Sequence, residues 1–319
     1  MAIKINWQNL LKRYINWQEI LRVYKNWAQV RPDTIPPVTD YLCFTANTSW
    51  STVRLIKNGN PAAVSLETST DWNTWNAYTI WDTITLSNAG DKLYRRNTST
   101  TDTQFSTSVG VNTSIYSFQM SWSIASSWDV TTLLNKNWTT TLSDYCFVSL
   151  FQGCSALTTP PKLPATTIST YCYYAMFAQC SSLTRVPELP ATTMKISCYN
   201  NMFNGCSSLT TPPALPATTL AAWCYNNMFL RCTSLAALPI LSATTLTSSG
   251  YSQMFRYCSN IKLSTTQVWE YQNEYRIPTV WTSTYVANCV YQMFWETWWT
   301  FAWEPSINTT YYTSNTIIS

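Results

Sequence analysis

The chain of 319 residues has no histidine. That excludes a Ser-His-Asp triad, a Cys-His pair and most zinc-hydrolase sites, each of which needs an imidazole as base or ligand. Glycine is scarce, with 6 residues in all, so about 2% of the chain where about 7% is usual. No glycine-rich loop able to cradle a phosphate is present. Charged residues make up 11%, less than half the usual share of about 25%, and Thr, Ser and Asn stand in their place. The net charge of +4 is mild and spread out. No apolar run approaches the roughly 18 residues a membrane helix needs, so no membrane insertion is expected. The start, Met1-Ala2-Ile3-Lys4-Ile5-Asn6, lacks the apolar core of a classical signal peptide. An extracellular place, on a cell surface or a virion, is then reached by another export route, after removal of a leader, or as part of the particle. Carboxylate pairs could in principle hydrolyse glycosides. The candidates, Asp71 with Asp82 and Glu270 with Glu274, have no motif around them and read as solvated loop residues. No enzymatic activity, cofactor or metal is expected.

What the chain has is a 26-residue repeat. Cys154, Cys180, Cys206, Cys232 and Cys258 recur at that interval, as do Leu157, Leu183, Leu209, Leu235 and Ile261. Cys146, Cys172, Cys198 and Cys224 form another ladder, with Gly250 in the next slot, and Ala-Thr-Thr returns at 165, 191, 217 and 243. A fixed period of this length points to a solenoid, because one unit cannot bury its apolar face alone. Within a unit, Cys172, Met176, Phe177, Cys180 and Leu183 stand at three- and four-residue steps, which predicts a short helix with one buried stripe. Val186-Pro187-Glu188-Leu189-Pro190 then predicts an extended return, and the Ala-Thr-Thr hydroxyls suit N-caps. Stacked at about 4.8 Å, the extended segments would form a ridge roughly 25–30 Å long. The eleven cysteines read as small core residues at stripe positions. Their odd number leaves at least one thiol unpaired in any disulfide scheme, and Cys-x7-Cys is not a zinc spacing.

The motif Met-Phe-x-x-Cys-Ser-Ser-Leu-Thr…Leu-Pro-Ala-Thr-Thr resembles the BspA-like leucine-rich repeats of bacterial surface and secreted proteins and related phage proteins. The resemblance covers about residues 141–263, and Cys289-Val290-Tyr291-Gln292-Met293-Phe294 repeats its Cys-to-Met-Phe spacing after an insertion. It implies adhesion or surface binding, with no catalytic residues to carry over, and a β-sandwich ahead of the repeats.

Tryptophan is as abundant as glycine is rare, with 17 residues. Many follow Asn, Asp or Ser where a turn calls for glycine: Asn6-Trp7, Asn16-Trp17, Asn26-Trp27, Asn137-Trp138, Asp71-Trp72, Ser49-Trp50 and Ser127-Trp128. Asn58-Gly59 shows the ordinary pair intact. One reading is that the gene's UGA codons mean glycine and have been rendered as tryptophan. The other is an aromatic-rich binding surface. Trp75 and Trp223 read as true tryptophans.

The whole chain reads as mixed α+β in three parts. Residues 1–37 form a basic anchor, with Lys4, Lys12, Arg13, Arg22, Lys25 and Arg31 set against Glu19 and Asp33. They make an amphipathic helix if Trp7 and Trp17 are real, and a β-hairpin array if they are glycine; the ten-residue period favours hairpins. Residues 38–135 predict an antiparallel β-sandwich, with strands at 41–45, 52–56, 77–80, 83–86, 92–95 and 116–120. Residues 141–310 predict a leucine-rich-repeat solenoid of five to six units, the last degenerate.

The expected function is recognition of a host-surface glycan or protein by a bacterial envelope or phage protein. The alternative is a structural virion or envelope component, with residues 1–37 holding its partner. Nucleic-acid binding is not expected, since stacking and groove-reading motifs are missing. Candidate ligand contacts lie in slots that vary while the frame repeats. Lys162, Glu188, Ala214 and Ile240 share one slot; Tyr173-Tyr174, Asn200-Asn201 and Asn226-Asn227 span another. Trp298 and Trp299, within the aromatic run 295–303, complete the set as a stacking platform for sugars.

Overall fold

The computed structural model describes residues 41–100, 102, 104–109, 113–135, 141–243, 245–261 and 288–295. All belong to the second of two compact units, 40–319, the first being 1–39. Residues 1–37, expected to be a basic anchor, lie outside the described residues, as do Trp138, Glu270, Glu274, Trp298 and Trp299.

The mixed α+β expectation, with a leucine-rich-repeat solenoid, is overturned: the described residues contain strands, turns and one short 3-10 helix, Val130–Leu133, but no α-helix. Nine strands make two sheets. They are β1 (Leu42–Ala46), β2 (Ser51–Asn58), β3 (Leu66–Ser69), β4 (Asn76–Ala77), β5 (Thr83–Leu86), β6 (Lys92–Asn97), β7 (Ile115–Ser121), β8 (Ile124–Ser127) and β9 (Leu157–Thr159). The larger sheet runs β4-β3-β6-β1-β8-β9 and the smaller β5-β2-β7. All pairs are antiparallel except β8 with β9. Alternation explains the packing: Leu42, Phe44 and Ala46 of β1 and Val53 and Leu55 of β2 are buried, and Phe44 meets Phe118 of the other sheet at 4.9 Å.

The repeats follow a different rule from the helix their spacing suggests. In the unit from Tyr171, alternate residues send their N–H to the next unit: Tyr171 to the Ile196 carbonyl at 3.0 Å, Tyr173 to Cys198 at 3.0 Å, Ala175 to Asn200 at 2.9 Å and Phe177 to Met202 at 2.9 Å. The residues between close turns three back, Tyr174 to Tyr171 at 3.2 Å and Met176 to Tyr173 at 3.2 Å. Every fourth residue is left-handed: Tyr171 (φ 57), Ala175 (φ 50) and Gln179 (φ 63). An α-helix needs each N–H to reach four residues back with φ near −63° throughout. A ribbon of overlapping turns with a four-residue period also buries residues at steps of three and four, so the same stripe arises without a helix. The N-cap role of the Ala-Thr-Thr hydroxyls falls with the helix.

The return segments build no long strand ladder either. Among the described residues only β9 and isolated bridges such as Thr193 with Thr219 and Leu215 with Leu241 form. Pro160, Pro161, Pro187, Pro212, Pro213 and Pro239 carry no N–H to donate.

Two aromatic columns run through the stacked ribbons. One joins Phe147, Tyr173, Tyr199, Tyr225 and Tyr251, with ring centroids 5.7–6.0 Å apart. The other joins Phe151, Phe177, Phe203, Phe229, Phe255 and Phe294 at 5.4–5.7 Å. The sheet region supplies the first member of each, Phe105 against Phe147 at 6.2 Å and Phe118 against Phe151 at 5.1 Å. Its backbone enters the ladder too, the Phe118 N–H donating to the Leu150 carbonyl at 2.7 Å. One continuous core therefore extends from Leu42 to Phe294, and it does not divide where the repeats begin.

All eleven cysteines are buried. The Cys180 thiol donates to the Phe151 carbonyl at 3.1 Å, Cys206 to Phe177 at 3.1 Å, Cys232 to Phe203 at 3.1 Å and Cys258 to Phe229 at 2.9 Å. Cys154 does the same to Phe118 at 3.0 Å. The slot takes a small apolar side chain with one weak donor. A maleimide or disulfide reagent is expected to leave the native thiols unmodified and to label all eleven in denaturant, counted by intact mass; labelling of the folded chain would contradict this burial.

Candidate functional site

The sequence candidates divide by position. Lys162, Glu188, Ala214 and Ile240 are exposed, each just before a buried leucine, Leu163, Leu189, Leu215 or Leu241. At this slot each unit presents an exposed residue beside a buried one. The other slot is mostly interior. Tyr173 is a member of the buried column, Asn200 and Asn226 are buried, and only Tyr174, Asn201 and Asn227 are half-exposed. Asn201 (φ 58) and Asn227 (φ 55) occupy the left-handed position, for which asparagine is suited. Their amides donate to the neighbouring side-chain oxygens, Asn201 to Asn200 at 2.7 Å and Asn227 to Asn226 at 2.6 Å. These doublets bond to each other within the ribbon.

At the N-terminal end of the exposed row lies a group of side chains that the sequence did not single out together. In β6, Leu93, Arg95 and Asn97 point inward, so Tyr94 and Arg96 lie on the outer face of the larger sheet. There Trp72 packs against Tyr41 at 5.2 Å, Tyr94 at 4.7 Å and Trp128 at 5.2 Å, and Tyr94 stacks with Trp128 at 5.8 Å. Trp75 meets Tyr41 edge-on at 5.1 Å. The Arg96 guanidinium lies 4.0 Å from the Trp75 ring centroid and bonds Glu67 at 2.7 Å. Glu67 and Arg96 are direct cross-strand partners of β3 and β6, and Tyr41, Trp72, Trp75, Trp128, Arg96 and Glu67 are all half-exposed. The patch joins the row through backbone bridges, Tyr41 with Asp129 and Asp129 with Lys162. The Lys162 N–H also donates to the Trp128 carbonyl at 2.7 Å.

Chemically, the patch offers flat aromatic faces beside a planar donor and a carboxylate acceptor. That combination fits a ligand with one apolar face and a rim of hydroxyls. Little else in the described residues looks chemically active. Asp71 does not pair with Asp82; its carboxylate accepts from the Asn73 N–H at 2.9 Å, the Thr74 N–H at 2.7 Å and the Ser69 hydroxyl at 2.9 Å. Those bonds, the Thr74 N–H first, draw its pKa down to about 2, so it stays ionised and cannot act as a general acid. Arg95 is fully buried between the sheets, 3.8 Å over the Tyr78 ring, and burial lowers its pKa. Among the described residues no three His, Cys, Asp or Glu side chains converge as metal ligands, and no helix is long and apolar enough to cross a membrane. No protein-family model, curated protein or solved structure matches the chain.

Proposed function

We propose that the chain is a non-enzymatic recognition protein of a bacterial envelope or phage particle that binds a glycan or protein on a host surface. Binding takes place along one face, from Trp75 and Arg96 over Tyr41 and Asp129 to Lys162, Glu188, Ala214 and Ile240. The observation that carries this reading is the pair of bridges linking Tyr41, Asp129 and Lys162, which makes the aromatic patch and the exposed row a single surface. Stacked repeats favour such use because the frame is rigid while exposed side chains on each unit are free to change. Aromatic and arginine side chains are the common anchors of recognition surfaces. The resemblance of the repeat to BspA-like surface proteins supports an extracellular setting.

The test is binding of the full chain to an array of bacterial surface glycans and to whole cells. Trp75→Ala and Arg96→Ala are each expected to weaken binding about tenfold or more, a loss of at least ~1.4 kcal/mol. Both side chains are half-exposed, so thermal unfolding should show the variants still folded. Binding unchanged in both variants would remove the patch from the reading. A failure to bind any surface, with particle assembly lost on deleting residues 1–37, would replace it with the structural role.

A further inference from the structure

Six of the eight tryptophans among the described residues have a left-handed backbone: Trp50 (φ 63), Trp72 (φ 69), Trp81 (φ 84), Trp122 (φ 67), Trp128 (φ 66) and Trp223 (φ 62). A bulky side chain in that region is an outlier, and glycine is its usual occupant. For three of the six, the surroundings account for the side chain. Trp72 and Trp128 are packed into the aromatic patch. Trp223 occupies the ribbon slot that holds Tyr145, Tyr171, Ser197 and Ser249, all left-handed, where ladder bonds impose the backbone on any residue.

Trp50, Trp81 and Trp122 have no such support. They are 65%, 50% and 72% exposed, stand outside the ribbons, and stack on no ring among the described residues. Each sits at a chain reversal or strand start: Trp50 directly before β2, Trp122 first of the two residues between β7 and β8, and Trp81 in the turn Thr79–Asp82. That last turn has an internal comparison. The Asp82 N–H donates to the Thr79 carbonyl at 3.0 Å with Trp81 third; in the turn Asn88–Asp91 the Asp91 N–H donates to the Asn88 carbonyl at 3.2 Å with Gly90 third, at φ 91. A positive φ in the third position is the demand of a type II turn, and glycine meets it without strain. One chain thus shows the same bonded turn twice, once with glycine and once with tryptophan.

We propose that the native polypeptide carries glycine at positions 50, 81 and 122, the codons there being UGA, read as glycine by the source organism and rendered as tryptophan in the sequence. Position 122 follows Ser121 as position 50 follows Ser49, whereas position 81 follows Ile80 and is marked by its backbone alone. Glycine at the three positions also strips three exposed indoles from the surface, so those turns are not docking points. Trp75, on which the binding test rests, stands apart from this inference, since it has no left-handed backbone and meets Tyr41 edge-on, while Trp72 and Trp128 are left-handed and are set aside from the three only on their ring packing.

The codons and the protein purified from its source decide the matter. UGA at the three positions, with fragment ions of glycine mass, is expected, together with UGG and a tryptophan mass at position 75. UGG at position 81, or a tryptophan mass there in the source protein, overturns the proposal. Stability gives a second measurement on recombinant protein that carries tryptophan throughout. Trp81→Gly is expected to raise the melting temperature by ~2–4 °C, and Trp81→Ala, which keeps a Cβ at positive φ, by less. A fall in melting temperature for Trp81→Gly overturns the conformational argument on which the assignment rests.

Discussion

Raising the pH from 8 to 11 is expected to unfold the protein steeply, with most of its stability gone near pH 10. Burial pushes the thiols of Cys154, Cys172, Cys206, Cys224 and Cys258 up to about 12 from an ordinary 9.0. Cys146, Cys180, Cys198 and Cys232 move the same way, again mainly through burial. The sign follows from which state keeps its protons. Below pH 9 both folded and unfolded chains carry S–H, and the full stability is present. Between 9 and about 12 the unfolded thiols ionise while the folded ones cannot, so stability is lost as pH rises. One pH unit above 9 favours the unfolded chain by about 1.4 kcal/mol per thiol. Five such thiols give roughly 7 kcal/mol at pH 10, set against a total stability of about 5–15 kcal/mol for a typical protein. Denaturant titrations at several pH values measure the slope. A slope of only one proton per molecule would contradict the burial of the cysteine ladders.

The second large effect is expected at the joint between sheets and ribbons. Phe118 touches Phe44 across the sheets, caps the phenylalanine column at Phe151, and accepts the Cys154 thiol on its carbonyl. Phe118→Ala removes a fully buried ring and should cost about 3–5 kcal/mol. That corresponds to a fall in melting temperature of roughly 6–20 °C. Because the core is continuous, calorimetry should show one transition moving as a whole. Two separated transitions, or an unchanged melting temperature, would mean that the sheets and ribbons do not share their stability through this residue.

Much of this was readable from the residues, but unevenly. The 26-residue register was plain because the same buried slots demand the same small or aromatic side chains in every unit. The local backbone is not legible from spacing, because steps of three and four residues are common to an α-helix and a four-residue turn ribbon. The distinguishing marks were present at every fourth position, in Gly153, Gly205, Asn201 and Asn227, all left-handed. Strands with clear alternation, such as β2 and β7, stand close to where the pattern put them. The four-residue β3 and β8 were not anticipated, and the strand expected at 77–80 is only the two-residue β4. In the site, the exposed row from Lys162 followed from the repeat alone. The Asn and Tyr doublets varied too, but their variation sits largely on buried or ladder positions. The aromatic patch could not be read at all, since it gathers residues near 41, 67–75, 94–96 and 128 through the pairing of β3 with β6 and of β1 with β8.

The last ribbon shows how the molecule can change without losing its frame. Phe255 and Phe294 stand 39 residues apart in the chain, where every earlier pair in that column from Phe151 onward stands 26 apart, yet their rings stack at the same 5.4 Å. Registration between neighbours is carried by the turn ribbon, and the path between ribbons is not held to a fixed length. Such an architecture can accept new sequence between ribbons by insertion, as a shelf accepts longer brackets. Grafting a foreign peptide after Ile261, and not within a ribbon, is therefore the natural route to adding a binding segment to this scaffold.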